Sequence, residues 1–190
     1  MMPGFHPKVI VDGLPLGENR LAFPLSKSQA QSLIESTAAV LDGKTQRVWK
    51  IDAERIAFRD HDEWYSQLGQ ITKDCIAGLG LNANQESNIV PNLCSMLLSG
   101  AGATPRGAEK PPSKHFATMV IQLPSWYTGG ERIVHYKGKT TKVDWSERSD
   151  DGFFVTSFLA DCNNLLMEVK SGYQLCLVYD LVFQKTTGTN

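Results

Sequence analysis

The sequence lacks the long apolar runs and the charge excess that mark several classes of protein. No apolar run approaches the roughly 20 residues that a membrane-spanning helix needs. Residues 1–13 contain no basic segment followed by an apolar stretch, so we expect no secretory signal. The 190 residues carry 19 Lys and Arg against 20 Asp and Glu, a net charge of −1. We therefore expect neither a nucleic acid nor a membrane as a partner.

Cysteine and histidine are both scarce, with four of each in the chain. The cysteines are widely spaced and form no Cys-x-x-Cys pair, which favours reduced thiols and a cytoplasmic protein. A disulfide between Cys162 and Cys176 stays an alternative. A metal site built from His115, His135 and Asp161 is a second alternative, although neither histidine occurs in a His-x-Asp, His-x-Glu or His-x-x-x-His pattern.

The composition that is present is typical of a globular domain. Hydrophobic residues make up 42% of the chain and charged residues 21%, and this length fits one domain with a small appendage. The first 20 residues are rich in Pro and Gly, which predicts an irregular N-terminal arm on the surface at residues 1–20. Residues 21–190 form the predicted domain.

Two segments have the spacing of amphipathic helices. The first begins at Ser26, a good N-cap residue, continues with apolar residues to Leu41 and meets Gly43 as a stop signal. The second covers about Asp62 to Gly78. Its apolar residues recur at intervals of three or four, which predicts one stripe packed against a sheet. The stripe consists of Trp64, Leu68, Ile71, Cys75 and Leu79.

Short apolar or alternating segments, typical of β-strands, precede the second helix once and follow Asn88 repeatedly. They are Arg47–Ile51, Leu93–Leu98, Phe116–Leu123, Ile133–Tyr136, Thr140–Trp145, Phe153–Leu159, Leu165–Val169 and Gln174–Phe183. Helices that precede an antiparallel block predict an α+β domain, with the helices on one face of a sandwich or jelly roll. The residues expected in its core are Phe116, Val120, Leu123, Phe158, Leu177 and Val178.

One segment of the β-block is predicted as a turn and another as an exposed hairpin. Residues 124–130 are predicted as a turn. The run from Arg132 to Lys142 is rich in basic residues, but Glu131 and Asp144 flank it, so we predict a solvated hairpin rather than a basic patch.

Four motifs occur in a fixed order: FATMVIQLPS from Phe116, TGGE from Thr128, VDWS from Val143 and VKSGYQL from Val169. In this order they resemble the iron(II)/2-oxoglutarate-dependent dioxygenases, most closely a prolyl-hydroxylase-like fungal branch. The similarity covers about residues 20–183. It implies a double-stranded β-helix, which is a jelly roll with a pocket between its two sheets, here with two N-terminal supporting helices.

The resemblance also implies three iron ligands and an anchor for 2-oxoglutarate, and this chain departs from the family at each position. A His-x-Asp pair is expected within residues 100–114, where Pro105 and Gly107 match best and no His or Asp occurs. The distal His is replaced by Asn164, and the basic anchor ten residues later by Gln174. An amide is a poor ligand for iron(II), and Gln carries no charge for a carboxylate. We therefore expect no bound metal and no cofactor.

Candidate site residues follow from the same positions. Asn164 and Gln174 are the strongest, because a buried amide needs hydrogen-bond partners that a ligand can supply. Asp161 is a third catalytic candidate, alone or as an acid–base pair with Asp144, although a structural role is favoured for both carboxylates. The ligand-binding candidates are Asn164, Gln174, Tyr173, Trp126 and Tyr127.

Three functions stay open at this point. The first is a degenerate dioxygenase homologue whose pocket binds a small organic ligand or catalyses a metal-independent cyclisation, isomerisation or dehydration. The second is a non-enzymatic interaction module with a decayed pocket. The third is an iron/2-oxoglutarate oxygenase with relocated ligands. Conventional oxygenase activity is not expected, and the sequence decides neither whether catalysis occurs nor the oligomeric state.

Overall fold

The computed structural model describes residues 3–6, 15–16, 19–36, 47–58, 61–81, 88–103 and 115–184. Within these ranges, no helix is both long enough and apolar enough to cross a membrane. The positions Pro105 and Gly107, and the predicted helix stop at Gly43, lie outside the described residues.

Two helices form, α1 at Lys27–Ser36 and α2 at His61–Gly78. The predicted N-cap of α1 is confirmed, because the Ser26 hydroxyl accepts a hydrogen bond from the Gln29 backbone N–H at 3.2 Å. The Gln29 side chain returns the contact by accepting from the Ser26 N–H at 3.1 Å. This reciprocal pair satisfies two backbone donors that a helix start leaves free.

The strands pair antiparallel throughout. They are β1 Pro3–His6, β2 Pro15–Leu16, β3 Asn19–Arg20, β4 Val48–Asp52, β5 Ile89–Gly100, β6 His115–Leu123, β7 Tyr127–Gly129, β8 Arg132–Tyr136, β9 Lys139–Val143, β10 Phe153–Leu159, β11 Asn163–Leu166 and β12 Val169–Phe183. A large sheet has the order β1-β10-β6-β12-β5-β4, with β7 also paired to β12. A small sheet has the order β11-β8-β9, and β2 pairs with β3.

The large sheet has one face toward the helices and one toward the small sheet. On the helix-side face, Leu68 of α2 belongs to the same buried cluster as Met119 of β6 and Leu177 of β12. On the other face, here called the inner face, Val134 of β8 packs in a second cluster with Phe158. Two antiparallel sheets with two helices on one side make this the jelly roll that the sequence predicted.

The predicted helix stripe is confirmed. Trp64, Leu68, Ile71 and Cys75 are buried, with Leu68 only 1% exposed, and Leu79 packs partly buried against the same cluster. The Trp64 indole N–H also donates to the Tyr179 hydroxyl at 3.2 Å.

The predicted core residues are mostly buried as well. Val120, Leu123, Phe158 and Leu177 are buried, whereas Phe116 and Val178 are half-buried.

The N-terminal arm was predicted as irregular, and this is wrong for residues 3–6, 15–16 and 19–20, which form strands. Pro3 pairs with Thr156 and His6 with Phe153, so β1 is the edge strand of the large sheet. An edge strand needs hydrogen bonds on one side only, which is why Pro is tolerated there. The Pro- and Gly-rich composition of the arm therefore gave no indication of strand β1.

Several strand boundaries differ from the sequence prediction. Strands β5 and β12 are longer than predicted, and β7 lies inside the segment predicted as a turn. Long-range pairing with β12 explains all three, because β12 bonds to β5, β6 and β7 along its length. All four cysteines are free, so the disulfide alternative for Cys162 and Cys176 is not realised.

Candidate functional site

Strand β12 places Gln174 on the inner face of the large sheet. Successive side chains of a strand point to opposite faces. Leu175 and Leu177 join the helix-side cluster, and Cys176 joins the inner cluster. Gln174, which is 4% exposed, therefore lies on the same side as Cys176. On the neighbouring strand β6, Gln122 pairs in register with Cys176 and is 3% exposed.

The small sheet supplies Arg132 and Asn164 from the opposite side. Arg132 lies two residues before the buried Val134 on β8, so both side chains occupy the inward face. Asn164 of β11 pairs in register with Val134 and shares that face. One guanidinium nitrogen, Nη1 of Arg132, donates to Oδ1 of Asn164 at 2.8 Å.

Tyr127 connects β7 to the same interior. Its hydroxyl donates to Oε1 of Gln122 at 2.6 Å, and Nε2 of Gln174 donates to the Gly130 carbonyl at 3.3 Å. Arg132 lies close enough to Tyr127 and Cys176 to interact electrostatically with both. The residues whose polar side chains these elements direct between the sheets are here called the polar cluster. The polar cluster consists of Gln122, Tyr127, Arg132, Asn164 and Gln174.

Two buried atoms of the polar cluster have unused hydrogen-bonding capacity. Nε2 of Gln122 is a donor and Oε1 of Gln174 an acceptor, and neither has a partner among the described residues. Leaving such a group unpaired in the interior costs about 1–3 kcal/mol. Most buried side-chain polar atoms in proteins have a partner, so an unpaired donor and acceptor in one cluster suit a ligand that carries the complementary groups.

Gly130 makes room for this arrangement. Its φ of 68° lies in the left-handed region that favours glycine. A Cβ there would lie 3.2 Å from Tyr127, 3.3 Å from Nε2 of Gln174 and 3.3 Å from Val169. The turn before β8 therefore needs glycine for both its backbone and its neighbours.

The charge in this interior comes from Arg132. Within the described part of the chain, no carboxylate lies within ion-pair distance of its guanidinium. Burial lowers the pKa of Arg132, but a guanidinium stays charged in proteins. Its central carbon lies 5.8 Å from the centre of the Phe158 ring. The residue as a whole keeps partial solvent contact, whereas its charged end lies deep in the interior.

The other titratable groups nearby are neutral at ordinary pH. Burial raises the pKa of the Cys176 thiol from 9.0 to about 11, against the opposing effect of the Arg132 charge. Burial also raises the pKa of the Tyr127 phenol. Neither group is a ready base or nucleophile near neutral pH.

The structure separates the sequence-predicted site residues into two groups. Asn164, Gln174 and Tyr127 lie in the polar cluster. Tyr173 was expected beside the pocket but packs against the helix-side cluster, because it directly precedes Gln174 on a strand whose side chains alternate. Trp126 is 62% exposed and does not line the interior.

Asp161 is also exposed, in the turn between β10 and β11. The suggested acid–base pair with Asp144 does not form. Asp144 follows Val143, which pairs with Arg132, whereas Asp161 precedes Asn163 at the other end of the small sheet. Asp144 instead accepts a hydrogen bond from the Ser146 N–H at 3.0 Å, the turn role that was favoured for it.

The residues of the relocated metal site do not converge. Nε2 of His115 lies 3.3 Å from the Thr118 hydroxyl and 3.9 Å from Asp180. Nδ1 of His135, which is exposed, lies 2.8 Å from the Thr140 hydroxyl. Among the described residues, no three His, Cys, Asp or Glu side chains are grouped as metal ligands.

The described residues of this interior do not fit iron(II) with 2-oxoglutarate. Oδ1 of Asn164 already accepts from a guanidinium, and a second cation beside that charge would be repelled. Gln174 is neutral and supplies no charge for a carboxylate of 2-oxoglutarate. We therefore derive no chemistry through iron.

Two residues of the polar cluster were missed by sequence reasoning. Arg132 was predicted to lie on a solvated hairpin, which is wrong for this side chain. The hairpin itself is confirmed, with Lys137 and Gly138 at φ 45° and 76° in its turn. Its register fixes Arg132 on the face of Val134, and the alternation Arg132-x-Val134 was the available signal. Gln122 lay inside an apolar strand and gave no local signal.

Solved structures that resemble this chain include 2-oxoglutarate-Fe(II) oxygenases. A prolyl hydroxylase from Trichoplax adhaerens, in complex with a hypoxia inducible factor peptide fragment, aligns with a TM-score of 0.51 and 13% identity, covering 82% of this chain and 76% of that one. A Burkholderia pseudomallei oxygenase of the 2OG-Fe(II) family aligns at 0.46, with 15% identity over 82% and 78%. A Pseudomonas putida prolyl-4-hydroxylase aligns at 0.47, with 17% identity over 73% and 72%.

The sequence matches no family model and no curated protein. At 13% identity, the likeness to the Trichoplax adhaerens enzyme concerns the fold, and the site has to be judged from its own residues.

Proposed function

We propose that this chain is a degenerate homologue of the prolyl-hydroxylase-like oxygenases and binds a small organic ligand between its two sheets. The carrying observation is the unpaired donor and acceptor at Gln122 Nε2 and Gln174 Oε1, both buried in one polar cluster. A ligand with one acceptor and one donor would satisfy both atoms.

The same residues support a loss of iron/2-oxoglutarate chemistry. At the position of the distal His, Asn164 is engaged by a guanidinium. At the position of the basic anchor, Gln174 binds a backbone carbonyl of its own chain. Both positions thus have a role that does not involve a metal or 2-oxoglutarate.

Binding is better supported than metal-independent catalysis. A cyclisation, isomerisation or dehydration needs a group that takes up or gives a proton near neutral pH. In the polar cluster and at Cys176, the titratable groups are a permanent cation, a phenol and a thiol, and burial raises the pKa of the last two. The carboxylates Asp144 and Asp161 are exposed outside this interior.

An interaction module is the second candidate, and the exposed indole of Trp126 favours it. A large exposed aromatic side chain is enriched at protein interfaces. In that case the partner would contact the surface at Trp126 and leave the polar cluster untouched.

Metal reconstitution tests the first part of the proposal. The protein is treated with iron(II), desalted and measured for bound iron, and then assayed for succinate release from 2-oxoglutarate. We expect no stoichiometric iron and no succinate above background, with an active prolyl hydroxylase as the positive control. One equivalent of retained iron together with 2-oxoglutarate-dependent succinate would overturn the degenerate-site proposal and favour relocated ligands.

A screen of small organic molecules for an increase in melting temperature tests the second part. We expect hits that are lost in Gln174→Leu and kept in Trp126→Ala. Hits that depend on Trp126 and not on Gln174 would move the proposal to the interaction module.

A further inference from the structure

Arg132 is the one charged side chain that the polar cluster holds between the sheets, and its partner there is an uncharged amide. The surface arginine Arg148, in contrast, pairs with Asp151 at 3.2 Å. Lys142, on the hairpin next to Arg132, pairs with Glu131 at 2.8 Å. The described carboxylates thus form ion pairs with cations at the surface, where such a pair contributes little to stability. None of them forms an ion pair with Arg132, whose charge lies between the sheets.

The geometry of this cation favours an anion with a flat, two-oxygen end. A guanidinium has five N–H donors in a planar fork, and one contact to Asn164 is assigned among them. The fork matches a carboxylate, which can accept two parallel hydrogen bonds. Asn164 fixes the orientation of the guanidinium and is in this sense a positioning residue.

We propose that the ligand is an organic acid, with its carboxylate bound by Arg132 and a hydroxyl or N–H group donating to Oε1 of Gln174. This rests on the proposed function, because it names the class of ligand for the same interior. Nε2 of Gln122 is a second donor for the carboxylate. An anion at this place supplies the counter-charge that no described residue gives to Arg132.

The rest of the ligand faces apolar side chains. Val120, Val134, Phe158 and Cys176 form the inner cluster, and Phe158 lies beside the guanidinium. Such surroundings favour a short alkyl or aryl group over a second charge. The ligand class is therefore an organic acid that carries a hydroxyl or N–H donor and a short apolar group.

A chemically matched series tests this assignment by calorimetric titration. The probes are mandelate and 2-hydroxyisocaproate, their uncharged primary amides, and phenylacetate, which lacks the hydroxyl. We expect the two hydroxy acids to bind, their amides to bind at least about tenfold more weakly, and phenylacetate to lie between. Added salt should weaken the binding of the acids and leave the binding of the amides unchanged.

Variants at Arg132 assign the effect to this side chain. Arg132→Met should weaken the acids roughly thirtyfold or more, and Arg132→Lys, which keeps a charge but not the fork, should lie between. Arg148→Met is the matched surface control and should bind like the wild type. Far-ultraviolet circular dichroism checks that each variant is folded.

The outcomes separate this inference from the proposed function. If the amides bind as well as the acids, or if Arg132→Met keeps its affinity for the acids, the organic-acid assignment is wrong while ligand binding between the sheets stands. If neither acids nor amides bind to the wild-type protein, the organic-acid assignment is overturned. If in addition no molecule of the melting-temperature screen binds, the proposed function falls with it.

Discussion

The two faces of the large sheet are built from the same strands and have opposite characters. On β12, Leu175, Leu177 and Leu181 point to the helix-side face and are fully buried. The alternate positions carry Gln174 and Cys176 toward the small sheet. One face of a strand is thus a conventional core, while the other carries an amide and a thiol.

This difference separates stability from binding. The helix-side face buries apolar area against α1 and α2, which is the dominant favourable term in folding. The inner face holds an unpaired amide donor, an unpaired amide acceptor and a guanidinium without a carboxylate among the described residues. Such groups cost stability, and proteins keep them mainly where function needs them.

The largest loss of stability is expected from Leu68→Ala on the helix-side face. Leu68 is 1% exposed within the cluster that joins α2 to the sheet. We expect a loss of about 2–5 kcal/mol in the free energy of unfolding, because the substitution removes buried methyl groups and leaves a cavity. Urea denaturation measures it.

The control on the same helix is Lys73→Ala. Lys73 is exposed and should change the unfolding free energy by less than about 0.5 kcal/mol. Equal effects at both positions would mean that α2 does not pack on the sheet by this face.

Two buried tyrosines, one for each face, give a matched pair of Tyr→Phe variants. Tyr179→Phe leaves the Trp64 indole N–H without its acceptor, and Tyr127→Phe leaves Oε1 of Gln122 without its donor. Each should cost about 1–3 kcal/mol. Only Tyr127→Phe should also change ligand affinity.

Titration calorimetry with the organic acids of the matched series separates the two variants. A Tyr179→Phe variant that lost affinity as much as Tyr127→Phe would remove the distinction between the faces.

The helix-side face could be predicted from the sequence, and the inner face only in part. The stripe of α2 and the strand β6 were recognised because apolar residues at a regular period signal burial without knowledge of the partner. Gln174 and Asn164 were found through the resemblance of the surrounding motifs to the dioxygenases. Arg132 was not, because its burial depends on the β8–β9 register and on a second sheet closing over it.

Thiol ionisation offers a finer comparison of the two faces. Burial raises the pKa of Cys75 and of Cys176 from 9.0 to about 11. Folding therefore favours the protonated thiols, and their contribution is complete below pH 9.0 and is lost as the pH rises toward about 11. Between about pH 8 and about pH 10, the rise in pH should lower the unfolding free energy by about 1 kcal/mol for each thiol.

Urea denaturation at the two pH values, with Cys75→Ala and Cys176→Ala, measures these losses. Arg132→Met should raise the pKa of Cys176 further and leave Cys75 unchanged, because the Arg132 charge opposes the shift at Cys176. An unchanged Cys176 pKa in that variant would mean that the guanidinium does not face this thiol.

The smallest effect is expected at Asp161. Its side chain is exposed in a turn outside the polar cluster, so Asp161→Asn should change stability by less than about 0.5 kcal/mol. Ligand affinity should also stay as in the wild type. A tenfold change in affinity would place Asp161 at the site after all.

The most direct test of the account is the unfolding free energy of Arg132→Met, measured by urea denaturation without ligand at neutral pH. If the guanidinium is kept for a ligand, its removal ends the cost of an interior charge without a carboxylate partner but leaves Oδ1 of Asn164 without its donor. These two effects oppose each other, so the stability should stay within about 1 kcal/mol of the wild type. Arg148→Met, on the surface, should change it by less than about 1 kcal/mol. A loss of more than about 2 kcal/mol in Arg132→Met would contradict the account, because Arg132 would then stabilise the fold like the residues of the opposite face.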